Sequence, residues 1–324
     1  MNNPKYSVVI PVYNRPDEVK ELLESLLAQT QKNFEVIVVD DGSTNPCEEV
    51  VKAYFESLSI RYYFKPNSGP GPTRNFGFEH GKGDYFIIFD SDCILPPGFF
   101  SSVDQGLKDT AFDAWGGPDK AHDKFTIVQR ATGYTMSSVL TTGGIRGGKK
   151  RVGWFQPRSF NMGITREVFQ VTGGFLLDRF AEDIELSIRI KKAGFRVGLI
   201  PDAFVYHKRR TNFFQFFQQV FNFGKGRAQI ASLHPEEVKV THWFPSFFTL
   251  GTCLMPLLYL LSVSLFKVLI GLLIFYLLLI FIHALMLTSN LFVACLSVPS
   301  ALLQLWGYGS GFLIGKIKGT KSKQ

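Results

Sequence analysis

The sequence predicts an α/β domain with a mostly parallel, doubly wound sheet, followed by helices that cross a membrane. Two observations carry this. Short continuous apolar runs alternate with segments of helical periodicity through the first part of the chain, and from about Trp243 charged residues nearly vanish from a stretch rich in Leu, Phe, Ile and Val. The chain then closes on the lysine-rich "GKIKGTKSKQ". Its 324 residues suffice for one large domain and an appendage.

The elements follow in order. "KYSVVIPVYN" reads as a strand covered on both faces, because a half-exposed strand would alternate apolar with polar. It is too short for the apolar core of a secretory leader, so the soluble part is expected in the cytoplasm. After Pro16, "DEVKELLESLLAQT" sets Val19, Leu22, Leu23, Leu26 and Leu27 on one stripe with acids in the first turn, the pattern of a helix laid on a sheet. "FEVIVVDDGS" is the second strand, with a helix near residues 47–57. "IRYYFK" is the third, with a helix near residues 73–80. "YFIIF", residues 85–89, is the fourth. Gly77, Gly81 and Gly83 read as turn residues, and His80 and His122 as structural. Three apolar stretches, roughly 247–265, 268–287 and 291–314, approach or exceed the roughly 20 residues that cross a bilayer. The third is interrupted by Pro299, Gln304 and "GYGSG". Three full crossings would put the lysines outside, against the positive-inside tendency, so the side of the tail stays open.

Domain boundaries are expected at 1–210 for the catalytic domain, 211–242 for an amphipathic interfacial segment, 243–315 for two to three membrane helices and 316–324 for a basic tail. The net charge of +8 gathers near the membrane boundary in "HKRRTN", "GKGR" and the tail and forms no stripe on one soluble element, which argues against nucleic acid as a partner. Four cysteines in no disulfide or zinc spacing fit a reducing compartment.

In an open parallel sheet, ligands sit beyond the carboxyl ends of the strands. Two strand ends carry carboxylates there: Asp40 and Asp41 after the second, and Asp90 and Asp92 after the fourth. The first ends in Tyr13 and Asn14 with no G-x-G-x-x-G, which disfavours a dinucleotide dehydrogenase. Two like charges at the mouth of a buried strand resist ionisation unless a positive group joins them. Hard Mg²⁺ or Mn²⁺ does so and prefers carboxylate oxygen together with phosphate oxygen. An isolated D-x-D is also a common strand-to-loop junction.

Here it is not isolated. "SVVIPVYNRPDEVKELLESLLAQT", "EVIVVDDGST", "GPGPTRNFGFEHGKGDYFIIFDSDC" and "NMGITREVFQVTGGFLLDRFAEDIELSIRIKKAGFRV" occur in that order with loop-sized gaps. Together they resemble a family 2 glycosyltransferase of the GT-A fold, inverting and metal-dependent, over roughly residues 5–210. The later "FFQQVFNFGKGRA", the apolar stretches and "YGSGFLIG" look like the membrane-anchored branch that builds bacterial surface polysaccharides on lipid carriers.

The resemblance implies residue roles. Pro11, Tyr13 and Asp41 would wall the nucleotide-base pocket, with Asn14 and Asp40 beside them. Asn67 and Arg74 would contact base or phosphates. Asp90 would contact the ribose or the metal, and Asp92 the metal, with His207 of "PDAFVYHKRR" a third ligand or simply a strand-end histidine. Asp183 would be the catalytic base, with Glu182 next to it. The implied cofactor is Mn²⁺ or Mg²⁺. The implied donor is a nucleotide-sugar, with UDP the nucleotide such enzymes favour and GDP or dTDP open. The chemistry is consistent: a positioned carboxylate takes the proton of an attacking hydroxyl, and a divalent ion offsets the charge of the departing diphosphate.

Asp183 equally suits a helix start, since "AEDIELSIRIKKAG" runs from acids to Lys191, Lys192 and Gly194. Between the halves of the site lies "TTGGIRGGKKRVGWFQPR", where Lys149, Lys150, Arg151 and Arg158 are placed to meet a phosphate or are simply solvated. "NFFQFFQQVFNF" puts Phe213, Phe214, Phe217, Val220 and Phe221 on one face, suited to a core or to the membrane interface, and Arg227 follows as a phosphate candidate. The expected partners are the donor, a lipid-linked (polyprenyl) saccharide acceptor and membrane lipid, in the cytoplasmic (inner) membrane, with a homo-oligomer left open. A processive synthase is one alternative, although "QQVFNFGKGR" stands where such enzymes carry Q-x-x-R-W. An inactive nucleotide-binding scaffold is the remaining alternative.

Overall fold

A computed structural model describes residues 5–120, 125–142, 154–208 and 211–318. In chain order the elements are β1 (Tyr6–Val12), α1 (Pro16–Leu27), β2 (Phe34–Asp40), α2 (Glu48–Lys52), β3 (Ile60–Phe64), α3 (Pro70–His80), β4 (Tyr85–Phe89), β5 (Cys93–Ile94) and α4 (Phe99–Asp109). There follow β6 (Ala114–Gly116), β7 (Asp119–Lys120), α5 (Ile127–Ser137), α6 (Val139–Thr142), β8 (Asn161–Thr165), α7 (Arg166–Thr172), α8 (Glu182–Lys192), β9 (Val197–Leu199) and β10 (Val205–His207). The last helices are α9 (Phe213–Leu233), α10 (Phe244–Leu261), α11 (Val263–Thr288) and α12 (Leu291–Lys318).

Two compact units form. Among the described residues, the first takes all ten strands, in a seven-stranded sheet of order β3-β2-β1-β4-β8-β6-β9 and a small sheet β5-β10-β7. β3, β2, β1 and β4 run parallel, while β8 runs antiparallel to β4 and β6. The continuous apolar strands are explained by two cores. Successive side chains of a strand point to opposite faces. Val8, Ile10, Ile87 and Phe89 therefore enter one cluster with the α1 residues Val19, Leu22, Leu23 and Leu26, and Val9, Phe86 and Ile88 enter the other with Phe78 of α3. Each such side chain contributes on the order of 1.5–3 kcal/mol by leaving water.

Two expectations shift. Leu27 ends its helix 40 % exposed, outside the stripe that buries Leu22, Leu23 and Leu26. Gly77 is not in a turn but inside α3, where a Cβ would stand 2.3 Å from Val9 Cγ1, so its missing side chain lets the helix press on β1.

The second unit contains α5, α6 and α9 to α12. Residues 125–142 fall inside the span 1–210 but pack with these later helices. The Tyr134 hydroxyl meets His283 Nδ1 at 2.7 Å, and the hydroxyls of Thr135 and Ser300 meet at 2.9 Å. Residues 240–261, 263–288 and 291–318 form three helices long and apolar enough to cross a membrane. α12 continues through Pro299 and the glycines.

The buried face of α9 differs from the expected one. Phe216, Val220, Gly224, Arg227, Ala228 and Ala231 are buried, while Phe214 is 70 % exposed. The helix turns its small residues toward α12, whose Gly307, Gly311 and Gly315 let the backbones approach: a Cβ on Gly311 would lie 2.0 Å from the Phe221 carbonyl oxygen.

Candidate active site

The carboxyl ends of β2, β1 and β4, adjacent and parallel, open on one edge of the first unit. Pro11 is half-buried at the end of β1, and Tyr13 and Asn14 beyond it are exposed, Asn14 at a positive φ of 56°. Asn14 Oδ1 accepts from the Thr44 hydroxyl and the Asn45 N–H, which fastens this loop to the one after β2.

Asp40 is fully buried and holds the turn after β2. Its oxygens accept from the N–H groups of Ser43 (2.8 Å) and Cys47 (3.3 Å) and from the Tyr62 hydroxyl (3.1 Å). Asp41, also buried, accepts from Lys65 Nζ at 2.6 Å and from the N–H groups of Ser68 and Gly69, each at 2.9 Å. Burial pushes its carboxyl upward, but Lys65 and these N–H donors prevail and hold it below the usual range. Asn67 donates to the Asp41 carbonyl and accepts from Arg179, bridging the loops after β2 and β3 to the segment before α8.

Arg74 lies wholly inside. From α3 it donates through Nη2 to Asp90 Oδ1 (2.8 Å) and through Nη1 to Glu182 Oε1 (2.9 Å), so it joins the end of β4 to the start of α8. One guanidinium balances only one of two carboxylates, and the more buried of them carries the cost. Burial, opposed by Arg74 and reinforced by neighbouring Asp183, pushes Glu182 up to about 7. Ala181, at a positive φ of 58°, sets this tandem of acids at the first turn of α8. Asp183 Oδ1 accepts from the Ile184 N–H, and Oδ2 faces Arg158 Nη1 at 3.6 Å.

Asp92 is buried between Arg15 and His207. Arg15 Nη1 donates to Oδ2 at 2.8 Å, and His207 Nε2 stands 3.1 Å from Oδ1. His207 reaches it because β10 pairs antiparallel with β5, in a register that sets His207 opposite Cys93. Its ring stacks on Phe160 with centroids 4.7 Å apart. Asp92, Cys93 and His207 present ligand atoms within 4.8 Å of one another, the one such group among the described residues. The donor set fits a hard divalent ion through carboxylate oxygen and imidazole nitrogen. Cys93 fits less well, since burial first, and then Asp92 and Asp90, push its thiol well above its ordinary range, and it points to the Phe160 carbonyl.

The structure thus gathers Asp90, Arg74, Glu182 and Asp183 into one chain of charges and joins Asp92 to His207. Sequence reasoning missed Arg15 and Lys65, the cations that pair with Asp92 and Asp41. Lys149, Lys150, Arg151 and His122 lie outside the described residues. Arg227 belongs to the second unit, buried on α9.

A family model described as glycosyl transferase family 2 matches residues 7–180, and the chain belongs to that family. Among curated relatives, an uncharacterized glycosyltransferase of Rickettsia felis is 44 % identical over 95 residues, 29 % of this chain and 16 % of the relative. The uncharacterized glycosyltransferase YibD of Escherichia coli K12 is 35 % identical over 139 residues, 42 % of this chain and 38 % of YibD. The chain therefore spans well under half the length of these relatives. Among solved structures, the mannosyltransferase PcManGT from Pyrobaculum calidifontis in complex with GDP-Man and Mn²⁺ superposes with a TM-score of 0.65 at 16 % identity, over 94 % of this chain and 88 % of that one. S. aureus TarS 1-349 in complex with UDP-GlcNAc gives 0.50 at 16 % identity, over 93 % and 90 %. At that identity the likeness shows the fold alone, which is GT-A: a mostly parallel sheet with helices, here accompanied by three apolar helices.

Proposed function

We propose that the chain is a membrane-anchored, inverting glycosyltransferase that moves a sugar from a nucleotide-sugar, UDP- or GDP-linked, to a lipid-linked saccharide acceptor in cell-envelope polysaccharide assembly. The observation that carries this is the charge chain Asp90–Arg74–Glu182–Asp183, which ties the carboxylates after β4 to the carboxylate proposed as base. Asp183 takes the proton of the acceptor hydroxyl as it attacks the anomeric carbon from the face opposite the diphosphate. Asp92 and His207 would hold Mn²⁺ or Mg²⁺, which when bound offsets the charge gathering on the leaving diphosphate. Tyr13, Asn14 and Pro11 edge the base pocket, with Asp40 and Asp41 bracing its wall from within. Arg158 and Arg151 are assigned to an acceptor or donor phosphate, and Arg227, on α9 of the second unit, is a separate candidate for phosphate contact.

The three apolar helices support seating in a membrane; placing the first unit on the cytoplasmic side is part of the proposal and follows the basic residues near the membrane boundary. Structural neighbours titled with GDP-Man and with UDP-GlcNAc support a nucleotide-sugar donor.

The test is substitution of the base. Asp183→Asn should lower sugar transfer roughly 10²–10⁴-fold while nucleotide-sugar binding, read by thermal shift, stays within about threefold of wild type. Retention of full transfer by Asp183→Asn would overturn the assignment.

A further inference from the structure

Arg15 stands immediately before α1, after the left-handed Asn14 that turns the chain out of β1. Its ion pair among the described residues is with Asp92 Oδ2, on the carboxylate that His207 approaches from the other oxygen. The neighbouring cations are engaged elsewhere: Arg74 with Asp90 and Glu182, Lys65 with Asp41, Arg158 with Asp183 and Lys208 with Glu21. The Arg15 side chain keeps 32 % of its surface exposed, where Arg74 keeps 4 %, so its guanidinium fork can meet a ligand.

We propose that Arg15 is a diphosphate-binding residue of the donor site and that, by sharing Asp92 with a divalent cation, it makes metal and nucleotide bind cooperatively. The proposal rests on the donor-site reading above. A guanidinium and a divalent ion on one carboxylate repel each other, so metal alone binds against Arg15. A diphosphate relieves the repulsion, because its oxygens match the planar guanidinium fork and also ligate the metal. Linkage then requires that nucleotide tighten metal by the factor by which metal tightens nucleotide.

The experiment uses the full chain in lipid nanodiscs. Mn²⁺ binding is followed by electron paramagnetic resonance, alone and with UDP or GDP, for wild type, Arg15→Gln and Arg15→Lys, and melting temperature serves as the folding control. In the wild type, UDP or GDP should tighten Mn²⁺ binding about tenfold or more. Arg15→Gln should bind Mn²⁺ alone at least as tightly as the wild type and show a nucleotide effect of about threefold or less, with Arg15→Lys between the two. If Arg15→Gln keeps the full nucleotide effect, the proposal fails. If it weakens Mn²⁺ binding in the absence of nucleotide, Arg15 only props Asp92 and the proposal also fails. A wild type that binds neither Mn²⁺ nor nucleotide overturns the donor-site reading itself, and the role of Arg15 with it.

Discussion

Arg74 joins Asp90 to Glu182 from inside the protein, and its removal should be costly. A buried guanidinium between two carboxylates adds little net stability against a well-packed apolar alternative, but deleting it alone leaves Glu182 uncompensated inside the protein. Arg74→Ala should therefore destabilise the first unit by about 3–5 kcal/mol, read as a large fall in melting temperature. Arg74→Lys should recover only part of this, since one ammonium cannot span both carboxylates. Glu182 gives a pH signature. Its carboxyl is pushed to about 7 in the folded protein against an ordinary value of 4.5, so between these values the folded state holds a proton that the unfolded chain releases. Its contribution to stability is complete below about pH 4.5 and is lost as pH rises through about 7. Glu182→Gln should flatten the fall in melting temperature over that window, and a variant whose profile runs parallel to the wild type would contradict the assignment. Asp90 stood out in the sequence because it directly follows a buried apolar strand, whereas Glu182 and Asp183 open α8 and drew notice only through the family resemblance. Arg15 and Lys65 were not legible, since a surface-type cation gains meaning only when folding brings it to an aspartate 77 or 24 residues away.

At the level of elements, the strands and α1 could be read from the sequence because each obeys one period along its length. β4 is apolar throughout and β1 is apolar except at the buried Ser7, and α1 repeats its leucines at helical spacing. The packing of α9 was not legible, because its contact face is built from glycine and alanine as well as Phe216 and Val220, and a search for large apolar residues selects the wrong side. The close approach is testable. A Cβ at Gly224 would stand 2.1 Å from the Tyr308 carbonyl oxygen, a backbone atom that cannot swing aside. Gly224→Val should therefore destabilise the second unit by about 1–3 kcal/mol, as overpacking does. Gly251→Val, on α10 with nothing within 4 Å of its Cβ position, should leave the melting temperature nearly unchanged. The pairing of α5 with α11 and α12 was equally hidden. It depends on Tyr134 and Thr135 finding His283 and Ser300, which lie 149 and 165 residues away.

For the whole molecule, the chain carries an α/β unit and helices apolar enough for lipid; the first was predicted from the alternation of apolar runs with helical periodicity, the second from the loss of charged residues after about Trp243. The third apolar stretch read as interrupted, yet α12 is one helix, since Pro299 leaves it intact and its glycines serve helix contact. The central claim is that a divalent cation on Asp92 and His207 joins the protein to a donor diphosphate. Calorimetric titration of UDP and GDP into the full chain, with Mn²⁺ and then with chelator, tests it most directly. Nucleotide should bind with Mn²⁺ and lose about tenfold or more in affinity with chelator or in Asp92→Asn. Equal affinity in all three conditions would contradict the account.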